Sequence, residues 1–322
     1  MILTLTPNPS IDATLSLDEP LTTGLVHRAR SVSQVAGGKG INVTHAAYLA
    51  GHPTVALFPA GASDLFLSLV EEASLPYEAV PLDQTIRVNT TITDPAGDTA
   101  KINGPGPLVG PEVQQEIIQR LGALSANADW VVLAGSLPPG CPTDWYSSLI
   151  KALRSASPQT RIAVDSSGQP ILEIARNLEA AAPDLLKPNG FELGQLAGED
   201  GLALEEQAAG GDYSGVVAAA RSVVQRGVAE ILVTLGGAGA VLVTADGAWV
   251  ATPPAAEVVS TVGAGDSALA GYLLARTDET SRPESLRQAV AYGTAAAGLA
   301  GTALPRPDQI DLAGTTLDEL DN

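Results

Sequence analysis

The 322-residue chain has one cysteine, Cys141, one methionine and three histidines. A single thiol cannot close an internal disulfide, and so few scattered Cys and His residues cannot build a zinc cage. A reducing cytoplasm is therefore the expected compartment. Basic residues are scarce as well: 17 Lys and Arg stand against 36 Asp and Glu, for a net charge of −19. That balance argues against a nucleic-acid or anionic-membrane partner. No uninterrupted apolar run is long enough to span a bilayer. The opening stretch Met1-Ile2-Leu3-Thr4-Leu5-Thr6-Pro7 lacks a basic region and is cut short by proline, so no signal peptide is expected. What remains is 45% hydrophobic with ordinary Gly and Pro content, enough for a full α/β core in one large domain or two.

The shortage of lysine makes the position of each one informative. There are four: Lys39, Lys101, Lys151 and Lys187. Three lie beside glycine, asparagine or proline, in Gly-Gly-Lys39-Gly, Lys101-Ile-Asn-Gly and Lys187-Pro-Asn. If this acidic chain handles phosphates, its few cations must gather where they bind; chance clustering is the competing explanation.

Along the chain, Ile2 to Thr6 is an apolar, β-prone run that predicts a buried first strand, ended by Pro7-Asn8-Pro9 in a loop that presents Asp12. Short extended segments follow from Ala13 to Val35. Ala36-Gly37-Gly38-Lys39-Gly40-Ile41-Asn42-Val43 is a glycine turn opening a helix, closed at Gly51. It is not a Walker A loop, because glycine follows the lysine. Thr54 to Phe58 resumes the strand pattern. From Thr85 to Asn103, Ile86, Val88, Thr90 and Ile92 alternate with Arg87, Asn89, Thr91 and Thr93, and Asp94 to Asp98 supplies a turn, so a half-exposed hairpin is predicted. Strand-like runs at 130–134, 161–165, 185–187, 230–235 and 240–244 then alternate with helical patterns at 143–155, 169–180 and 213–225. That alternation predicts a mainly parallel sheet with helices on both faces. Polar signals follow these strands at 135–140, 165–167, 187–189 and 236–239, on the carboxyl edge where open α/β sheets bind ligands. The acidic 198–211 segment reads as a solvent loop and 305–322 as a weakly patterned tail.

Ser260-Thr261-Val262-Gly263-Ala264-Gly265-Asp266-Ser267 runs directly into a small-residue helical pattern. A glycine turn at a helix start aims backbone N–H groups outward with the positive helix end behind them, which makes an anion seat. An acid at its mouth suits removal of a proton while negative charge crosses the glycines, as in phosphoryl transfer to a hydroxyl. The simpler alternative is that Asp266 caps the helix. The stretch also satisfies Gly-x-Gly-x-x-Ala. A dinucleotide fingerprint, however, belongs after a first strand, with an acidic residue about twenty positions on. Here it lies near the C-terminal end and precedes helical patterns, which speaks against a dehydrogenase.

The order Gly-Gly-Lys-Gly-Ile-Asn-Val (37–43), Gly-Ser-Leu-Pro-Pro-Gly (135–140), Lys-Pro-Asn-x-x-Glu (187–192), Leu-Gly-x-x-Gly (235–239) and Ser-Thr-Val-Gly-Ala-Gly-Asp-Ser (260–267) resembles the ribokinase-like, PfkB-type carbohydrate kinases. The likeness is strongest to their hexose-phosphate branch, and within it to the 1-phosphofructokinases. It implies one doubly wound domain over 1–322 with a small β-sheet lid from about 13–35 and 85–103, and a homodimer paired through that lid. It also implies the substrates ATP and a phosphosugar, with Mg²⁺.

By the same resemblance Asp266 is the base, and Gly263, Ala264 and Gly265 form the anion hole. Asp12, Gly38, Lys39, Asn42, Arg87, Asn89 and Lys101 match substrate-binding positions, with Arg87 on the existing phosphate. Lys187, Asn189, Thr234, Gly236 and Gly239 match the nucleotide site, and Glu192 acts on the metal through water. The implied reaction is phosphorylation of fructose 1-phosphate at its 6-hydroxyl. The 6-phosphofructokinase branch usually carries a lysine where this chain has Leu25, and tagatose-6-phosphate kinase is the other alternative. A catalytically idle sugar-phosphate sensor on the same fold is the alternative from another class.

Overall fold

The computed structural model describes residues 1–96 and 99–320. Strand β1 (Ile2–Leu5) is wholly buried, and its side chains divide by the period of a strand: Leu3 and Leu5 face one helical layer, Ile2 the other. The chain then leaves the carboxyl end of β1 and enters a separate small sheet, with β2 (Ser10–Leu17) antiparallel to β3 (Ala29–Gly37). Asp12 therefore lies within a strand, not in the loop predicted for it. The small sheet begins at Ser10, earlier than the predicted boundary, because Ser10 pairs with Gly37 on one side and Arg87 on the other.

Helix α1 (Lys39–Leu49) returns the chain to the large sheet, followed by β4 (Thr54–Ala60), α2 (Leu65–Glu72) and β5 (Tyr77–Pro81). The predicted hairpin is β6 (Arg87–Thr93) and β7 (Thr99–Asn103), and it completes a four-stranded sheet in the order β3–β2–β6–β7. Gly97 and Asp98 of its predicted turn lie outside the described residues.

The regular alternation comes next: α3 (Pro111–Ser125), β8 (Trp130–Ala134), α4 (Trp145–Ala156), β9 (Arg161–Asp165), α5 (Gln169–Ala181), β10 (Leu185–Leu186), α6 (Gly190–Ala197), α7 (Gly201–Ala209), α8 (Ser214–Val224) and β11 (Glu230–Thr234). A hairpin of β12 (Ala240–Thr244) and β13 (Ala248–Thr252), helices α9 (Ala264–Thr277) and α10 (Arg282–Ala297), and β14 (Thr316–Leu320) complete the described chain.

The large sheet runs β14–β13–β12–β11–β10–β9–β8–β1–β4–β5. From β11 to β5 all neighbours are parallel, whereas β12, β13 and β14 are antiparallel additions. Helices α3 to α8 contribute to the core on one face of the sheet, and α1, α9 and α10 to the core on the other. Burial on both faces explains the uninterrupted apolar runs of the central strands. Strand order reverses beside β1, with β4 and β5 on one side and β8 on the other. The crevice outside the carboxyl ends of the strands at that reversal is the expected place for a ligand.

Two further expectations are corrected. The 198–211 segment is not a solvent loop: it contains α7, whose N-cap Asp200 accepts from the amides of Leu202 and Ala203. Leu204 and Ala208, four residues apart on one helical face, enter the core, Glu206 is exposed, and Glu205 Oε1 accepts from the Phe191 amide of α6 at 3.1 Å. The acidic composition belonged to the solvent face. The tail supplies β14, which pairs with β13 from Ala248↔Leu320 to Thr252↔Thr316. Its exposed Asp318 and Glu319 suit an edge strand, where charge discourages further pairing.

Leu204 tests the first correction. With only 7% of its surface exposed, Leu204→Ala should cost about 2–4 kcal/mol in urea or thermal unfolding. A loss within about 0.5 kcal/mol is what a solvent loop would give.

Candidate active site

Gly263 takes φ 78°, a left-handed conformation open to glycine at little cost, and this turn starts α9. Asp266 is the third residue of that helix and is 7% exposed. It does not cap. Its Oδ2 accepts from Asn42 Nδ2 at 2.7 Å, and no side chain caps the helix at Gly263. Helix geometry leaves the first-turn amides without intrahelical acceptors; that of Ala264 donates to Thr261 O at 3.4 Å, and those of Gly265 and Asp266 are available to an anion. Burial raises the Asp266 pKa above the ordinary aspartate value; Lys39 opposes this, Asp165 adds to it, and the Asn42 hydrogen bond opposes it.

Asn42 and Lys39 share the first turn of α1. Lys39 Nζ lies 2.8 Å from Asp165 Oδ1. Burial works to lower the Lys39 pKa, but the carboxylates of Asp165 and Asp266 outweigh it and the net shift is upward. Asp165 ends β9 with no exposed surface, and its Oδ2 lies 3.1 Å from Lys187 Nζ. Desolvation alone would raise the Asp165 pKa, yet Lys187 and Lys39 hold it below the ordinary value. Lys187 Nζ also lies 3.4 Å from where a Cβ on Gly265 would sit, so its ammonium faces the glycine turn. Asp165, Lys187 and Lys39 thus surround the turn that carries Asp266.

Asn189 caps α6 in a reciprocal arrangement: its side chain accepts from the Glu192 amide at 2.7 Å, and Glu192 Oε2 accepts from the Asn189 amide at 2.9 Å. Burial raises the Glu192 pKa, with the Asn189 amide pulling the other way. Asn189 also bridges Thr234, the last residue of β11. Beyond it, Gly236 and Gly239 bound a single turn of 3₁₀ helix. Thr234, Gly236, Gly239, Ala264 and Gly265 share the lining of a cavity of about 640 Å³. Pro253 to Val258 form another wall, and Val290, Gly293 and Thr294 of α10 a third.

A second group sits on the small sheet. Asp12 Oδ1 accepts from Ser10 Oγ at 2.7 Å and from Asn89 Nδ2 at 3.1 Å. Burial raises the Asp12 pKa, and Ser10, Asn89 and Arg87 oppose it. Gly37 is required here, because a Cβ would fall 2.1 Å from Asp12 Oδ2. Gly38 follows at φ 119° and starts α1. Arg87 is engaged with backbone: Nε donates to Pro9 O (3.4 Å), Nη1 to Gly104 O (3.0 Å) and Nη2 to Asn8 O (3.1 Å). Of its five N–H donors, two are left over. Lys101 pairs with Thr91 on the Asn89 face of the sheet and is exposed. Among the described residues, no hydrogen bond or ion pair ties it to the others.

Sequence reasoning left Asp165 without a role and missed the 253–258 and 290–294 walls. Asp165 was visible as a polar residue at a strand end, but nothing local marks a carboxylate as buried between two lysines. The cavity walls are small and apolar and carry no chemical signature.

Residues 6–309 match the family described as pfkB family carbohydrate kinase. A 1-phosphofructokinase of Haloferax volcanii is 35% identical over 307 residues, covering 95% of this chain and 93% of that protein. A 1-phosphofructokinase of Rhodobacter capsulatus is 34% identical over 320 residues, covering 98% and 96%. The crystal structure of phosphofructokinase-2 from Escherichia coli in complex with fructose-6-phosphate superposes with a TM-score of 0.82 at 27% identity, covering 96% of each chain. The match over most of the length, the ordered motifs and the shared fold agree: this chain belongs to the pfkB family of carbohydrate kinases.

Proposed function

We propose that the chain is a single kinase domain that transfers the terminal phosphoryl group of ATP to the 6-hydroxyl of fructose 1-phosphate, giving fructose 1,6-bisphosphate and ADP. The observation that carries this reading is the buried Asp266 carboxylate, fixed by Asn42 at the first turn of α9, where a glycine turn and two lysines await negative charge. The sugar oxygen attacks the terminal phosphorus, the bond to the bridging oxygen breaks, and its electron pair leaves with ADP. The hydroxyl proton passes to Asp266. Because that proton is lost late in a loose transition state, position matters more than basicity. First-turn amides meet the charge on the transferring group, each such donor being worth about 3 kcal/mol in comparable sites.

The 640 Å³ cavity beside Ala264 and Gly265 is of a size for the nucleotide. Thr234, Gly236 and Gly239 line it, while Asn189 bridges Thr234 and Lys187 Nζ faces Gly265, both in that lining. Mg²⁺ supplies charge neutralisation when bound with the nucleotide, and Glu192 would hold it through water. Among the described residues no three His, Cys, Asp or Glu side chains gather to hold a metal. A hard ion that keeps much of its water and takes phosphate oxygens suits that sparse donor set.

Asp12, Asn89, Gly38 and Asn42 face the sugar. The two spare N–H groups of Arg87 take its existing phosphate, with Lys39 and Lys101 as further cations. The small sheet acts as the lid. Leu25, 68% exposed before β3, offers no charge to a phosphate, and the two similar bacterial and archaeal relatives are named 1-phosphofructokinase; both favour fructose 1-phosphate. Among the described residues no helix is long and apolar enough to cross a membrane, and we assign the protein to the cytoplasm.

Release of ADP should be faster with fructose 1-phosphate than with fructose 6-phosphate or tagatose 6-phosphate in a coupled assay. A preference for fructose 6-phosphate would overturn the choice of sugar, and no turnover with any of the three would favour a sensor. Asp266→Asn should lower kcat about a hundredfold or more while ATP binding, measured by calorimetry, stays within about threefold. In the native enzyme Asp266 must be ionised to accept the proton. Since its pKa is raised, kcat should fall on acidification at a higher pH than an ordinary aspartate would dictate, and Asp266→Asn should lack that limb.

The small sheet carries Val32 at 61% exposure and Ile102 at 63% on the face opposite Asp12, and that apolar face suits pairing with a second copy. Sedimentation should give about twice the chain mass of 32.7 kDa, and Ile102→Glu should shift the protein toward monomer. A monomer at micromolar concentration would remove this assignment.

A further inference from the structure

Two of the chain's four lysines converge on one carboxylate. Asp165 has no exposed surface, and the Lys187 side chain is only 3% exposed. Three separate elements meet there, the end of β9, the start of α1 and the residue after β10. Lys187 Nζ faces the Gly265 backbone of the anion turn, and both lysines act on the Asp266 and Glu192 carboxylates. Each Asp165 oxygen addresses one ammonium, so neither lysine can follow the carboxylate without releasing the other. Both ammonium groups are thus held by a buried carboxylate beside a turn built to receive an anion.

We infer that Asp165 is a positioning residue for phosphoryl transfer: it holds Lys39 and Lys187 charged and aimed on two sides of the Gly263–Asp266 turn, so that the transferring group meets two fixed ammonium groups. The inference rests on the kinase reading above. Removing a buried counter-ion leaves an uncompensated charge, which a lysine relieves by giving up its proton. The groups facing this cluster are Asp266 and Glu192 toward both lysines, and the Tyr146 hydroxyl toward Asp165. The two remaining carboxylates favour a charged Lys39, but Asp165 does so most, and its loss is the change that eases release of the proton.

The test is Asp165→Asn, read first without substrate. With lysine labelled at Cε, the four signals are assigned through Lys39→Arg and Lys187→Arg. In the native protein the Lys39 signal should not titrate between about pH 6 and pH 10. In Asp165→Asn it should titrate inside that window, and kcat should gain an alkaline limb with the same midpoint. At pH 6 its circular-dichroism spectrum should stay native although its melting temperature falls, so that the loss of activity is not one of global unfolding. Unmoved lysine titrations, or a lower kcat with an altered Mg²⁺ requirement and no new limb, would overturn the inference. If the Asn variant does not fold, Asp165→Glu is read the same way. It should keep both lysines charged yet lower kcat about tenfold by displacing them, and native kcat would overturn the positioning role. Because the titration needs no sugar, it decides the inference even if the kinase assays fail.

Discussion

A charged group taken out of water must meet an opposite charge or hydrogen bonds, and at the carboxyl edge of this sheet two carboxylates and two lysines meet that requirement together. Asp165 takes Lys39 and Lys187; Asp266 takes the Asn42 amide and the field of Lys39. Each member comes from a different place: the ends of β9 and β10, and the starts of α1 and α9. The cluster is satisfied only if the parallel strands align their carboxyl ends and both helices begin there. Incomplete pairing of buried ions is strongly unfavourable, so the cluster favours the register that also forms the site.

The alternation of apolar strands with helical patterns was enough to read the sheet, because strands buried on both faces leave long apolar runs and helices leave a 3.6-residue period. It failed where one face dominated the composition. In α7, Glu205 and Glu206 masked the buried Leu204 and Ala208, and in β14 the acids Asp318 and Glu319 masked an edge strand. Both are errors of averaging over a segment whose two faces have different surroundings. The antiparallel partner of β13 was also invisible because pairing across so long a separation leaves no local trace.

For the site, glycines were the best guides, because their positions carry backbone constraints that a sequence states directly. Gly263 and Gly38 both have positive φ at a helix start. What they could not state was which side chains answer each other. Asp266 read equally well as a cap until its carboxylate was found on Asn42, more than two hundred residues earlier. Asn189 and Glu192 went the other way: the structure gives them a reciprocal capping job, and any role toward metal or nucleotide is additional to it. Arg87 is similar, since three of its donors already hold the 8–9 turn and Gly104. It fixes the loops around a ligand as well as offering two N–H groups to one.

The two halves of the site are joined by the chain itself. Strand β3 ends at Gly37, packed so closely on Asp12 that no side chain fits. Gly38 turns the backbone, and the next residue is Lys39, with Asn42 one helical turn on. The Gly37 backbone that packs on Asp12 is thus two residues from the lysine beside Asp165 and five from Asn42, whose amide holds Asp266. A displacement of the small sheet that moves Asp12 against Gly37 must be absorbed within Gly37 and Gly38 or passed to the first turn of α1. Lys39, bonded to Asp165, and Asn42, bonded to Asp266, resist that movement. The placement of Asp12 and the alignment of the Asp266 carboxylate are therefore one constraint, set by two glycines and the buried ion cluster behind them.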